Sequence, residues 1–134
     1  MKALILLAED ERDIRDMLVT FLEWGGFKTV AVADGREAVT QAIDRRPDLI
    51  LLDVRMPRMD GLQACAALKG RPDTCDIPIV FLSAFSSKQD IDQGLAVGAD
   101  RYLAKPIEME VLNQQVIEVL KQARSRARRG ISPH

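Results

Sequence analysis

The chain has 134 residues, 47% of them hydrophobic, and a net charge of −1. That is one domain's length, enough to bury a core without staples. It has no apolar run long enough to span a membrane and no signal-peptide pattern at its start, so a cytosolic protein is expected. Lys121, Arg124, Arg126, Arg128 and Arg129 crowd the C-terminal end with no acid among them, so the body before them is acidic, unlike the basic face of a nucleic-acid-binding domain.

Ala3 to Ala8 is an apolar run that stops at Glu9-Asp10 and reads as the first strand. Glu9, Asp10 and Glu11 suit the positive end of the helix that follows, whose buried stripe is Ile14, Met17, Leu18, Phe21 and Leu22. Trp24 reads as packing where that helix closes, and Gly25-Gly26 end it. Phe27 to Val32 is a second strand and Ala33-Asp34-Gly35 a turn. A second helix runs from about Arg36 to Arg45, with Ala38, Val39, Ala42 and Ile43 inward, and Pro47 closes it. Leu49-Ile50-Leu51-Leu52 then runs straight into Asp53, the pattern of a strand buried on both faces.

A loop containing Pro57 and Gly61 leads to a third helix, roughly Leu62 to Lys69, with Met56 and Met59 filling space beside it. Gly70 and Pro72 stop that helix, and Asp73 to Pro78 is a loop. Ile79 to Leu82 is the fourth strand, stopping at Ser83. Ser86 or Ser87 caps a fourth helix carrying Ile91 and Leu95. Its Gly94 costs up to about 1 kcal/mol relative to alanine, so this helix is expected to be the softest. Gly98-Ala99-Asp100 is a turn, Arg101 to Ala104 the fifth strand, and Lys105-Pro106 its end. From Ile107 a long last helix runs towards Arg124, with Leu112, Val116, Val119, Leu120 and Ala123 inward. Residues 1–123 thus read as one folded domain and 124–134 as a basic tail or the start of a linker. Cys65, on the apolar side of the third helix, and Cys75, in a loop, read as reduced thiols; with His134 they make a poor zinc set.

Strict alternation of strand and helix, five times over, implies an α/β fold: a five-stranded parallel sheet with helices on both faces. Right-handed crossovers leave few topologies, and the flavodoxin-like order 2-1-3-4-5 makes the first and third strands neighbours. Ligands in such sheets bind beyond the carboxyl ends of the strands, so Glu9, Asp10, Asp53, Ser83 and Lys105 are expected at one edge. Three carboxylates that close do not all stay ionised unless a cation joins them. Lys105 supplies an ammonium, and magnesium suits a few carboxylates with positions left for water and phosphate. Carboxylates, magnesium, a lysine and a hydroxyl form a phosphoryl-transfer set in which a carboxylate can be the acceptor. Asp53 is the expected acceptor, because a strand end presents it singly while the Glu9-Asp10 pair is better placed to hold metal.

Leu7-Ala8-Glu9-Asp10-Glu11, the stretch from Asp53 to Gly61, Phe81-Leu82-Ser83-Ala84 and the stretch from Gly98 to Pro106 together resemble the receiver domains of bacterial two-component response regulators, over residues 3 to about 122. The resemblance implies that Asp53 is phosphorylated by a sensor histidine kinase or phosphotransfer protein. Glu9, Asp10 and Asp53 would gather Mg2+, with the Arg55 backbone carbonyl as a further ligand. Lys105 would pair with the phosphoryl oxygens, its bond to Pro106 cis, and Ser83 would donate its hydroxyl. Tyr102 would turn inward as Ser83 moves, changing the surface of helix four, strand five and helix five for a downstream protein partner. A homodimer through that surface stays open. Arg55 and Phe85 flank the phosphoryl position, where bulk and apolarity would limit attacking water and lengthen the phosphorylated state; the alternative is that Arg55 projects into solvent.

Other classes fit less well. Phosphatases of the haloacid dehalogenase type also use a strand-end Asp, but need a second Asp where this chain has Arg55, so a switch rather than a turnover enzyme is expected. A non-phosphorylated adaptor on the same fold would not need all five site residues. Few aromatics and no glycine-rich phosphate loop argue against a nucleotide binder. Gln114-Gln115 stand where receivers of winged-helix regulators carry a dimer-forming arginine, which leans towards a stand-alone protein over a receiver fragment.

Overall fold

A computed structural model describes residues 2–130. The strands are β1 (Leu4–Ala8), β2 (Lys28–Val32), β3 (Leu49–Leu52), β4 (Ile79–Ser83) and β5 (Arg101–Ala104). The helices are α1 (Arg12–Trp24), α2 (Gly35–Arg45), α3 (Gly61–Lys69), α4 (Lys88–Ala96) and α5 (Met109–Arg128). All strand pairs are parallel, in the order β2-β1-β3-β4-β5, as the alternation implies.

Successive side chains of a strand point to opposite faces, and here each face meets its own core. Ile5, Leu7, Leu49, Leu51, Val80 and Leu82 pack with Leu18 and Leu22 of α1 and with Leu112, Val116 and Val119 of α5. Leu6, Ile50, Leu52, Ile79 and Phe81 pack on the other face with Ala38 and Ala42 of α2 and with Ala64, Cys65 and Leu68 of α3. Double coverage is why β3 and β4 read as unbroken apolar runs.

Several expectations change. Met17 lies 44% exposed, at the margin of the buried stripe, over an apolar hollow shared with Ile107 and Met109. Trp24 is 77% exposed; its ring meets Phe21 edge-on, with centroids 5.3 Å apart, so it does not pack the core. Leu95 of α4 also faces outward. Residue 34 is more than a turn: Asp34 caps α2 by accepting from the Glu37 N–H at 2.8 Å. Ser87, not Ser86, caps α4, in a reciprocal pair with Asp90. The last helix begins at Met109 and continues past residue 124 to Arg128, with Arg126 on Asp100 at 3.2 Å. His134 lies outside the described residues, as does the end of the tail. Cys65 is buried and Cys75 half-buried, both free thiols.

Gly94 is the one buried residue of α4, and a side chain there would meet the Tyr102 ring. The apparent weak point of that helix is the seat of an aromatic ring.

Candidate functional site

Four strand ends build the site. Glu9 leaves β1 turned inward and 2% exposed; its N–H donates to the Val32 carbonyl at 3.1 Å, and its Oε2 accepts from the Glu11 N–H at 3.1 Å. Asp53 leaves β3 with its N–H on the Ala8 carbonyl at 3.0 Å, which ties it to the end of β1. Ser83 is the last residue of β4 and is fully buried. Lys105 follows β5, with its N–H on the Ser83 carbonyl at 2.9 Å and a cis peptide bond to Pro106.

These anchors bring side chains together that lie far apart in the chain. The Lys105 ammonium donates to Glu9 Oε1 at 2.5 Å and to Asp53 Oδ2 at 2.9 Å. One carboxylate oxygen each from Glu9, Asp10 and Asp53 lie within 4.8 Å of one another. Burial raises the Glu9 carboxyl above its ordinary value, against the Lys105 and Glu11 hydrogen bonds; the Asp53 charge adds to the rise. Burial works against the Lys105 ammonium, but its hydrogen bonds to Glu9 and Asp53 outweigh it and hold the pKa above the ordinary lysine value.

The donor set fits a hard divalent ion. Oxygens at about 2.1 Å from a six-coordinate Mg2+ lie roughly 3–4 Å from each other, which three oxygens within 4.8 Å reach with small adjustments. Glu9 and Asp53 both hold the Lys105 ammonium, which leaves Asp10 as the freest of the three ligands.

A cleft of about 670 Å³ opens beside Asp10 and continues past Arg55 and Phe85 to Asp90 and Gln93. Arg55 sends its N–H to Asp53 Oδ1 at 3.3 Å. Its side chain does not simply project into solvent, for the guanidinium sits 4.2 Å from the centre of the Phe85 ring. The Phe85 N–H donates to Ser83 Oγ at 3.1 Å. Tyr102 is half-buried, its ring against Phe81 with centroids 5.7 Å apart and its hydroxyl donating to the Phe85 carbonyl. Burial pushes the Tyr102 phenol above its ordinary pKa.

The structure therefore gathers Glu9, Asp10, Asp53 and Lys105 at one point, with Ser83, Arg55, Phe85 and Tyr102 in a connected second group. The supporting roles of two residues escaped the sequence reading. Asp34 is buried and takes the Arg58 side chain at 2.7 Å, which fixes the loop after β3. The Asp34-x-x-Glu37 spacing is a helix-start signal that points to its capping role. Gly61 lets that loop close on the end of β3: a Cβ there would stand 2.1 Å from the Asp53 carbonyl oxygen.

A family model of the response regulator receiver domain matches residues 5–117. Response regulator MprA of Mycobacterium tuberculosis is 38% identical over 124 residues, 92% of this chain and 53% of that protein. The chain spans about half the length of the curated relatives it matches. Among solved structures, chemotaxis protein CheY4 of Vibrio cholerae superposes with a TM-score of 0.84 at 34% identity, covering 89% of this chain and 99% of that one. The receiver domain of a Pseudomonas aeruginosa sensor histidine kinase, solved with a magnesium ion in its active-site cleft, gives a TM-score of 0.85 at 30% identity, covering 90% and 99%. No helix among the described residues is long and apolar enough to cross a membrane.

Proposed function

This chain belongs to the response regulator receiver domain family of two-component signalling, and we propose that it is a phosphorylation-dependent switch whose acceptor is Asp53. The observation that carries the reading is the Lys105 ammonium held between Glu9 and Asp53, with Asp10 completing a three-carboxylate cluster. Transfer from the phosphohistidine of a sensor kinase or phosphotransfer protein breaks a P–N bond and forms a P–O bond to an Asp53 oxygen. The electron pair of the broken bond and a proton end on the donor's imidazole. Asp10 and Asp53, with Glu9 and the Arg55 carbonyl, would hold Mg2+, which when bound offsets the charge of the transferred group. Lys105 keeps Glu9 and turns its other hydrogen bond to a phosphoryl oxygen, and Ser83 donates its hydroxyl to another.

The consequence is read at α4, β5 and α5 through Tyr102, whose ring already lies inward over Gly94. A downstream protein, or a second copy of the chain, binds that changed surface. Arg55 stacked on Phe85 covers the acceptor's flank and slows water's attack on the acyl phosphate, so the domain acts as a switch rather than a turnover enzyme. The receiver body is proposed as 1–123, with α5 running on to Arg128 into the basic stretch 124–134 that begins the tail or linker, in a cytoplasmic protein.

Intact mass after incubation with magnesium and acetyl phosphate tests the chemistry. One acid-labile phosphoryl adduct is expected, absent without magnesium and absent in Asp53→Asn. No adduct on the folded, magnesium-loaded protein would favour the adaptor on this fold; an adduct surviving in the variant would mean a different carboxylate accepts.

A further inference from the structure

Arg58, in the loop between β3 and α3, has φ at 66°, in the left-handed region that few side chains adopt. The Met59 N–H donates back to the Pro57 carbonyl at 2.7 Å, so Arg58 is the centre of a γ-turn of the rare, strained hand. Glycine would take that turn without strain. The side chain explains why an arginine holds it instead. Two guanidinium nitrogens reach Asp34 Oδ2, Nε at 2.7 Å and a terminal nitrogen at 2.6 Å. The Arg58 side chain is 59% exposed and that of Asp34 1%, so the arginine lies as a lid on a buried carboxylate whose other oxygen caps α2. The backbone pins the same loop: the Gly35 N–H donates to the Met59 carbonyl at 2.9 Å and the Gly61 N–H to the Val54 carbonyl at 2.8 Å. Arg55 sits between these anchors, its own N–H on Asp53 Oδ1 at 3.3 Å, and Pro57 stiffens the stretch from it to Arg58.

We propose that Arg58 is a positioning residue for the cation site: its ion pair with Asp34 holds the β3–α3 loop in a shape that favours Mg2+ over Ca2+. The inference rests on the reading above of Glu9, Asp10, Asp53 and the Arg55 carbonyl as cation ligands. A strained turn persists only where its surroundings over-determine it, and here one buried carboxylate does so. Mg2+ demands near-ideal octahedral oxygens at about 2.1 Å, whereas Ca2+ accepts a looser and more variable set at about 2.3–2.6 Å. A loop fixed at Arg58 presents the Arg55 carbonyl in one place. A loop released there follows a large ion as readily as a small one, and the advantage of the small ion is lost. The fixing needs the guanidinium fork, because a lysine brings the charge to Asp34 as a single point on a flexible stem.

Mn2+ is titrated into the full chain, the free ion is counted by electron paramagnetic resonance, and Mg2+ or Ca2+ then displaces it. Arg58→Gly keeps the left-handed turn accessible and deletes the anchor. Its Mg2+ affinity is expected to fall about tenfold, the lower end for groups that orient metal ligands, and its Ca2+ affinity by clearly less. Arg58→Lys falls between this variant and the wild type; should Arg58→Gly fail to fold, it carries the same comparison. Asp34→Asn weakens the same pair and lowers Mg2+ affinity less, and the double variant loses no more than Arg58→Gly alone. Glu37→Ala removes an acceptor of the Ala33 N–H at the start of α2 but leaves the pair alone, so its Mg2+ affinity stays at the wild-type level. Three results would each overturn this inference alone: Mg2+ and Ca2+ affinities unchanged or equally lowered in Arg58→Gly, additive losses in the double variant, or the same loss in Glu37→Ala. A wild type that binds no Mn2+ would overturn the cation-site reading and this one with it.

Discussion

Gly94→Ala sets helix propensity against packing, and the two give opposite signs. Propensity alone favours alanine in a helix interior by about 1 kcal/mol. At this position the added Cβ would stand 2.6 and 2.9 Å from two carbons of the Tyr102 ring and 3.1 Å from Phe81. Carbon pairs pack best near 3.5–4 Å, so the Tyr102 ring must retreat by about 1 Å. Retreat strains its contact with Phe81 and its hydroxyl's bond to the Phe85 carbonyl. Overpacking of this kind costs about 1–3 kcal/mol, so the net effect runs from neutral to about 2 kcal/mol destabilising. In a Tyr102→Ala background the obstruction is gone, the Phe81 contact needs only a few tenths of an ångström, and the same substitution stabilises by about 1 kcal/mol. Urea unfolding of the four proteins, followed by circular dichroism, yields the coupling between the two sites, expected at about 1–3 kcal/mol. Equal stabilisation by Gly94→Ala in both backgrounds would refute the reasoning and return Gly94 to an ordinary soft spot.

Asp34→Ala removes the α2 cap and leaves Arg58 without its partner; a loss of about 1–2 kcal/mol is expected in urea unfolding, while Asp34→Asn, which keeps a capping oxygen, loses less. The Asp34 carboxyl is held below its ordinary value by the Glu37 N–H bond first and by Arg58 second. A lowered folded pKa means its contribution is complete above the ordinary carboxylate value and is lost as pH falls through the folded one. The gap between wild type and Asp34→Asn should therefore close below about pH 4, and a gap constant down to pH 2 would contradict the assignment. Burial pushes the Cys65 thiol up to about 11, so a thiol reagent followed by mass should modify only Cys75 in the native protein and both after unfolding. Arg55→Ala and Phe85→Ala should each speed loss of the phosphoryl group, measured by decay of the intact-mass adduct, and unchanged rates in both would end the idea that the stacked pair shields it.

The sheet was legible in the sequence because its central strands are buried on both faces, which removes the ambiguity of alternating patterns: Leu49–Leu52 and Ile79–Leu82 have no polar residue to misplace. The convergence of Glu9, Asp10, Asp53, Ser83 and Lys105 followed from topology, since parallel neighbours end on one edge. Helix margins were less legible. Met17 and Trp24 sit at helical spacing from core residues, and only the reach of the neighbouring helix decides whether such a position is covered. Gly94 read as a propensity defect because the ring that needs its missing Cβ comes from another element, β5. The Arg55–Phe85 stack joins residues from two different loops; the reading that both flank the acceptor put them in one neighbourhood, but not in contact.

The charge pattern explains why so many acids can share the pocket. Two unit charges 4 Å apart repel by about 4 kcal/mol at an effective dielectric near 20, so the three clustered carboxylates strain the fold if all are bare. Lys105 relieves two of them at once, and the raised Glu9 pKa marks where relief falls short of the cost of burial. Asp10, the exposed member, meets the remaining repulsion in solvent, at the mouth of the cleft. That division gives each carboxylate a different readiness to change partners. Glu9 is locked by burial and by Lys105. Asp10 is free to take a cation. Asp53, held by one Lys105 hydrogen bond and one backbone N–H, can exchange its partners singly, and both lead directly to the groups that border it, Lys105 into β5 and Arg55 towards Phe85. A chemical change on Asp53 would thus meet two neighbours at once, Lys105 with the Glu9 it shares, and Arg55.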